Sequence, residues 1–287
     1  MKLKIFIVSI LLSLFLSGFR RETEPSITLG IVATIEKDSL IKASGFELMG
    51  ASVGKMISPS LSEEKFKQNL SAIGKLKAKL YMCNVMFPGE MKIAGPNVNE
   101  ARVLAYVDSL FQRAQRAEVN LIVLGSGGAR RLPDNYDIKK ATAEFVLLNK
   151  KIAVIAAKYK VKVALENLQH TETNFINTVK SAAEIVRSVN HPNFKLNADI
   201  FHMRREHEPP QNIIDAKDLL IHCEIAEDEE RTLPGIKGDD FTAYLQALKK
   251  ANYKGPVFVE AGGNYSDKQM AFCFQYLIRQ IEKVYRN

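Results

Sequence analysis

Residues 139–167 read KKATAEFVLLNKKIAVIAAKYKVKVALEN, an amphipathic stretch that runs directly into a short apolar one. Residues 139–160 carry apolar side chains at the spacing of a helix. Residues 161–167 are mostly aliphatic up to Glu166, as in a buried strand. A helix leading into an apolar strand is typical of parallel sheets that are covered by helices on both faces. This segment therefore predicts an α/β protein.

The same alternation recurs along the chain, with further helix-like stretches such as residues 101–118. The apolar, strand-like runs are residues 27–33, 45–51, 80–86, 120–126, 161–167, 194–200, 218–226 and 256–262. Eight strand–helix units in a chain of 287 residues predict a closed (β/α)8 TIM barrel, which we place at residues 26–287. A doubly wound open sheet is the alternative. It often carries a GxGxxG motif after its first strand, where this chain has ATIEKDS.

The first residues differ from the rest of the chain. Lys2 and Lys4 precede an uncharged apolar run, residues 5–19, and Arg20 follows it. A basic start and an apolar run of this length predict a secretory signal peptide over residues 1–20. The run is shorter than the ~20 residues that a membrane-spanning helix needs, although an uncleaved anchor remains the alternative. We therefore expect a periplasmic or otherwise exported protein of the bacterial cell envelope, without stable membrane insertion after signal cleavage.

Charge and cysteine content exclude some classes of protein. The formal net charge is +8, but the basic residues are scattered through helix-like stretches, which indicates solvated helix faces. Together with export, this argues against a nucleic-acid partner. We likewise interpret Arg130 and Arg131 as a solvated loop pair. The three cysteines are an odd number without a CxxC motif, so a disulfide framework is not expected.

Ionisable residues stand at the ends of the last four predicted strands. They are Glu166, Asp199, His222 and Glu260. A carboxylate at the end of an aliphatic strand must be paired, because burying it alone costs several kcal/mol. In a barrel these strand ends meet at one mouth. Three carboxylates and one imidazole predict a site for one divalent metal, with Mn²⁺ or Mg²⁺ favoured and Zn²⁺ or Co²⁺ possible.

On these residues the chain resembles the xylose isomerase-like TIM barrel superfamily, the sugar phosphate isomerase/epimerase group, and in particular its ketose 3-epimerases. The similarity covers the chain beyond the signal peptide and is strongest over residues 161–263. It implies that Glu166, Asp199, His222 and Glu260 hold the metal. It also implies that Glu166 and Glu260 are the catalytic pair, removing a proton from one face of a sugar carbon and returning one to the other.

The resemblance further implies three substrate-binding residues: His202, Glu172 and Arg231. His202 follows Asp199 by three residues. In an extended segment two such residues point to different sides, so we expect His202 to reach the substrate and not the metal.

The resulting functional hypothesis is an exported, metal-dependent isomerase or epimerase. It would act by proton abstraction next to a carbonyl, through an enediolate, on a non-phosphorylated sugar or keto-sugar. A lyase or hydrolase that eliminates a β-substituent from a 3-keto-glycoside shares the first step and remains an alternative. A phosphodiesterase resembling endonuclease IV is disfavoured by the count of only five histidines. A non-catalytic sugar-binding barrel is a further alternative, and a homo-oligomer is possible in each case.

Overall fold

A computed structural model describes residues 27–286, which form a closed barrel of eight parallel strands. Each strand hydrogen-bonds to its neighbours in sequence, and β1 pairs with β8 to close the barrel. The strands are β1 (Leu29–Val32), β2 (Leu48–Ser52), β3 (Lys79–Asn84), β4 (Leu121–Leu124), β5 (Lys162–Glu166), β6 (Phe194–Asp199), β7 (Leu220–Ile225) and β8 (Val257–Val259). The predicted (β/α)8 TIM barrel is confirmed.

Helices connect the strands and cover the outside of the barrel. They are α1 (Asp38–Ala43), α2 (Val53–Met56), α3 (Glu63–Ile73), α4 (Glu100–Arg116), α5 (Gly127–Arg130), α6 (Ile138–Lys158), α7 (Val179–Val189), α8 (Ile200–Arg205), α9 (Gln211–Asp215), α10 (Thr242–Lys250) and α11 (Asp267–Tyr285). The two amphipathic stretches identified in the sequence correspond to α4 and α6.

The core has two layers because successive side chains of a strand point to opposite sides. One face of each strand packs against the helices in a single large apolar cluster. The other face fills the barrel interior with a small cluster: Met82, Leu121, Val123, Ala164 and Phe258. Phe258 lies so close to Gly30 that a Cβ atom there would overlap its ring. The interior is therefore packed, and chemistry is confined to the two mouths.

The predicted signal peptide, residues 1–20, lies outside the described residues. Within residues 27–286, no helix has the length and apolar character needed to cross a membrane. The thiols of Cys83, Cys223 and Cys273 are buried and free.

Candidate active site

Four carboxylates converge at the mouth formed by the carboxyl ends of the strands. Glu166 ends β5, Asp199 ends β6, Glu224 lies in β7, and Glu260 directly follows β8. Oxygen atoms of these four side chains all lie within 4.8 Å of one another. Glu166, Asp199 and Glu224 are buried, and Glu260 is partly exposed. The structure thus brings together three of the four predicted metal ligands and adds a carboxylate that sequence reasoning missed.

The predicted strand-seven ligand, His222, is not part of this cluster. In the register of β6 and β7, Glu224 stands opposite Asp199, whereas His222 stands opposite Asn197, deeper in the barrel. The His222 ring packs in the interior, with its centroid 5.0 Å from that of Phe258. Residues two apart face the same side of a strand, and the later one is nearer the mouth. The sequence did contain a signal for this ligand, because Glu224 is a charged residue within the otherwise apolar second half of β7.

Two asparagines hold the carboxylates in place. The Asn197 side-chain amide on β6 donates to Glu224 Oε2, and that of Asn84 at the end of β3 donates to Glu260 Oε1. Both asparagines are buried. A buried polar side chain is normally paired, so an asparagine within an apolar strand is itself a sign of a polar site. Sequence reasoning missed both residues because it considered only ionisable groups.

Glu166 is positioned by residues of the segment that follows β4. A Cβ atom at Gly125, just after β4, would overlap Glu166 Oε2, so only glycine leaves room for the carboxylate. Arg130 Nη1 donates to the Glu166 backbone oxygen (2.7 Å), and Arg130 Nη2 donates to that of Ile176 (3.2 Å). Arg130 is fully buried, and burial lowers its pKa to about 10. The interpretation of Arg130 as a solvated residue was therefore wrong: backbone carbonyls replace water around its guanidinium.

Arg231, which the resemblance implied as a substrate-binding residue, lies across the carboxylates. Its Nη2 donates to Asp199 Oδ2 (3.2 Å) and to Glu260 Oε2, and its Nε donates to the Glu260 backbone oxygen (3.0 Å). Its Nη1 is 3.6 Å from Glu172 Oε1, so Glu172 lies at the rim of the same site. Burial lowers the pKa of Arg231, but the carboxylates outweigh burial and raise it overall. Arg231 therefore remains a fixed positive charge.

His202 is buried beside the carboxylates and not in a separate loop. Asp199 caps α8, and the His202 backbone N–H donates to Asp199 Oδ1 (3.3 Å), so the two residues share the first helical turn. The assumption of an extended segment was wrong because β6 ends at Asp199. His202 Nε2 is 3.5 Å from Asp199 Oδ2 and 3.7 Å from Glu166 Oε1.

The protonation of His202 follows from its surroundings. Burial and the charge of Arg231 lower its pKa to about 4, so the ring is neutral at pH ~7. Its Nδ1 accepts from the Gln169 backbone N–H (3.2 Å). In a neutral imidazole the proton is then on Nε2, which faces the carboxylates as a donor.

The electrostatics of the cluster favour a bound cation. Burial, and then the neighbouring carboxylates, raise the pKa of Glu166 and Glu224 well above the ordinary value. Burial also raises the pKa of Asp199. Among the described residues, Glu166 Oε1 and Glu224 Oε1 are buried without a hydrogen-bond partner. Four carboxylates facing one guanidinium, with two orphan oxygens, fit the needs of a divalent cation. An oxygen-only set suits hard cations such as Mg²⁺ and Mn²⁺ better than it suits Zn²⁺.

Residues 39–274 match the xylose isomerase-like TIM barrel family. The chain belongs to this family. Among its relatives, an inosose isomerase of Bacillus subtilis is 34% identical over 138 residues, which cover 43% of this chain and 47% of the relative. An L-ribulose 3-epimerase of Methylomonas sp. is 31% identical over 120 residues, 42% of each chain. The matches thus span less than half the length of these relatives.

Solved structures share the fold of this family member over nearly its whole length. The apo 3-keto-D-glucoside 4-epimerase of Escherichia coli superposes with a TM-score of 0.73 at 19% identity, covering 88% of this chain and 99% of that one. An L-ribulose 3-epimerase structure gives a TM-score of 0.77 at 16% identity, covering 91% and 96%. At such identities the likeness establishes the barrel fold.

Proposed function

We propose that this family member is a divalent-metal-dependent sugar epimerase or isomerase that acts by proton abstraction next to a carbonyl. The observation that carries the proposal is the cluster of four carboxylates, one each from β5, β6 and β7 and one directly after β8, whose oxygen atoms lie within 4.8 Å of one another. The names of the relatives, an L-ribulose 3-epimerase and an inosose isomerase, support a ketone-bearing sugar as substrate. The N-terminal sequence supports export to the cell envelope, and hence a non-phosphorylated substrate.

Glu166 and Glu260 are the proposed catalytic pair. Glu166 ends β5 and Glu260 directly follows β8, so they approach the cluster from different sides of the barrel mouth. One glutamate takes a proton from the carbon next to the carbonyl, and the other returns a proton to the opposite face of that carbon. Burial and the neighbouring carboxylates raise the pKa of Glu166, which favours its gaining a proton from a carbon acid. The number of protons on substrate and enzyme together is unchanged.

The proposed cation site consists of Glu166, Asp199, Glu224 and Glu260. A bound Mg²⁺ or Mn²⁺ supplies a Lewis acid that stabilises negative charge developing on the substrate oxygens. Arg231 and the Nε2–H of His202 lie beside the same carboxylates and are placed to orient substrate oxygens. Glu172 at the rim accepts from Gln169 Nε2 (3.0 Å) and is available to bind a hydroxyl group.

Deuterium exchange tests the chemistry. The purified protein, loaded with Mg²⁺, is incubated with L-ribulose or an inosose in D2O and followed by NMR. We expect deuterium at the carbon next to the ketone, with a loss of at least ~100-fold in Glu166→Gln and Glu260→Gln. The control Glu184→Gln changes an exposed glutamate on α7. Exchange at the wild-type rate in both active-site variants would refute the assignment of Glu166 and Glu260 as the catalytic pair. Release of the aglycone from a methyl 3-keto-glucoside would instead identify the lyase.

Metal content tests the ligand set separately. Elemental analysis compares the wild-type protein with Asp199→Ala, Glu224→Gln and His222→Gln. We expect about one divalent ion per chain in the wild type and in His222→Gln, and little in the other two, because His222 lies below the cluster. Loss of metal in His222→Gln with retention in Glu224→Gln would restore the histidine as the strand-seven ligand.

A further inference from the structure

A second concave site lies at the opposite mouth of the barrel, where the strands begin. It is a cavity of about 590 Å³, which we call the basal pocket. Tyr81, Leu121 and Ile221 from the barrel interior contribute apolar surface to it. Five lysines also line it: Lys79, Lys160, Lys162, Lys217 and Lys254. This volume is in the range of small-molecule sites, ~300–1,000 Å³.

The fold places the lysines around one opening. Lys79 and Lys162 are the first residues of β3 and β5, and Lys160 lies just before β5. Lys217 and Lys254 precede β7 and β8 by a few residues. Because all eight strands are parallel, their amino ends meet at the same mouth. Lysines from four different strand ends therefore meet at one opening although these strands are distant in sequence.

The positive charge of the basal pocket is not balanced by carboxylates. Glu118 is the only acidic residue among those that line it. Within residues 27–286, none of the five lysines makes an ion pair, whereas lysines elsewhere on the surface do, such as Lys151 with Glu100 (2.6 Å). Like charges around a concave, partly apolar surface repel one another and concentrate the positive potential there. Binding an anion removes that repulsion.

We propose that the basal pocket binds a phosphate-bearing ligand. Lysine ammonium groups bind phosphate as point charges. Five of them carry more positive charge than the single negative charge of a carboxylate ligand would neutralise. Asn120 and Asn252, which also line the pocket, add uncharged hydrogen-bonding groups. The apolar floor accommodates the organic part of the ligand. Two sources offer this chemistry, the headgroup of an anionic lipid and a free organic phosphate. The site is separated from the carboxylate cluster by the packed barrel interior.

Binding to two probes tests the proposal with the intact protein. Tripolyphosphate is titrated by calorimetry, and vesicles of phosphatidylglycerol or of phosphatidylcholine alone are tested by sedimentation. The variant K79Q/K162Q/K254Q removes three pocket lysines. The control K67Q/K139Q/K150Q removes three exposed lysines from helices, with the same change of net charge.

We expect saturable binding of at least one probe by the wild type, a loss of at least about tenfold in the pocket variant, and retention in the control. Binding of tripolyphosphate with one ligand per chain assigns a free phosphate, and binding only to phosphatidylglycerol vesicles assigns a lipid headgroup. Absence of binding to both probes, or an equal loss in the two triple variants, overturns the proposal. Deuterium exchange on the sugar substrate should be unchanged in both variants, since the pocket is remote from the cluster.

Discussion

At the scale of single residues, the donor set of the proposed metal site depends on which residue of β7 faces the mouth. Glu224 occupies that place, and the imidazole of His222 lies one inward-facing position deeper. His222 Nε2 is 3.4 Å from Glu224 Oε1, so the imidazole lies next to the carboxylate on its barrel-interior side. Burial lowers the pKa of His222 to about 3, which keeps the ring neutral. Strand β7 therefore offers the cluster an oxygen ligand and no nitrogen, and the imidazole beside the cluster is that of His202, which lies with Glu166 and Asp199 in a group whose potential ligand atoms are within 4.8 Å of one another.

The variant Glu224→His should change metal preference. It replaces an oxygen donor with an imidazole, which binds Zn²⁺ and Co²⁺ well relative to Mg²⁺. We expect the ratio of Zn²⁺ to Mg²⁺ affinity to rise by at least about tenfold, measured by competition titration. The control His222→Gln should leave the ratio near the wild-type value. An unchanged ratio in Glu224→His would contradict the assignment of Glu224 as a ligand.

Gly125 should be essential for activity although it carries no side chain. A Cβ atom there would overlap Glu166 Oε2, so Gly125→Ala must displace the carboxylate. We expect kcat to fall by at least about tenfold with little change in circular dichroism, because misplacing a reacting group by ~1 Å is costly. The matched control is Gly54→Ala, where an added Cβ meets no atom within 4 Å. Equal activity in the two variants would refute the steric argument.

At the scale of elements, the loop between β7 and α10 is organised by one carboxylate. Glu227 is buried and accepts hydrogen bonds from the backbone N–H groups of Gly235 (2.7 Å) and Gly238 (2.9 Å), and from the Thr232 hydroxyl (2.8 Å). Burial raises the pKa of Glu227, but the hydrogen bonds from the Lys237 backbone, the Thr232 hydroxyl and the Gly235 backbone outweigh burial and lower it overall. Arg231 is carried by the same loop, so the fold of the loop determines where its guanidinium lies.

Glu227→Gln should loosen this loop and displace Arg231. An amide cannot accept from all of these donors, and each buried group left unpaired costs about 1–3 kcal/mol. We expect a lower Tm and a higher KM for the sugar. The control Glu229→Gln alters an exposed carboxylate of the same loop and should change little. If both variants retained the wild-type KM, the loop would not position a substrate-binding residue.

At the scale of the whole molecule, the carboxylate cluster links stability to pH and to the cation. The folded protein holds protons on Glu166 and Glu224 above pH 4.5, the ordinary pKa of a glutamate, because burial raises the pKa of both. In the unfolded chain, where the pKa is the ordinary one, these protons are released as the pH rises through about 4.5. The free energy of unfolding of the metal-free protein therefore falls as pH rises from about 4.5 toward the raised values.

Glu224→Gln should isolate this contribution, since it removes one titrating group and leaves the histidines unchanged. In a chelator, we expect the Tm of the wild type to fall relative to that of Glu224→Gln as pH rises from about 5 to 8. Adding Mg²⁺ or Mn²⁺ should reverse the order, because a ligand that binds only the folded state stabilises it. If the Tm values of the two proteins ran parallel with pH and did not respond to the cations, the pKa of Glu224 would not be raised in the folded protein. Glu224 would then also not be a metal ligand.

How much of the molecule could be predicted depends on the range of the interactions involved. Eight apolar runs separated by helix-like stretches predicted the barrel, because alternation and the helical period are properties of neighbouring residues. For the same reason Glu166, Asp199 and Glu260 could be located at strand ends. The resemblance to the family added Glu172, His202 and Arg231, which the structure places around the same carboxylates.

The sequence by itself thus determined the barrel and the mouth at which its carboxylates gather. The tertiary structure decided which residues meet there. The register between β6 and β7 selected Glu224 over His222, and the end of β6 at Asp199 turned His202 toward the cluster. The buried guanidinium of Arg130 donates to the backbone carbonyl of Glu166 at the end of β5 and to that of Ile176 in the loop that follows. Register and burial depend on contacts between residues distant in the chain, which local patterns do not encode.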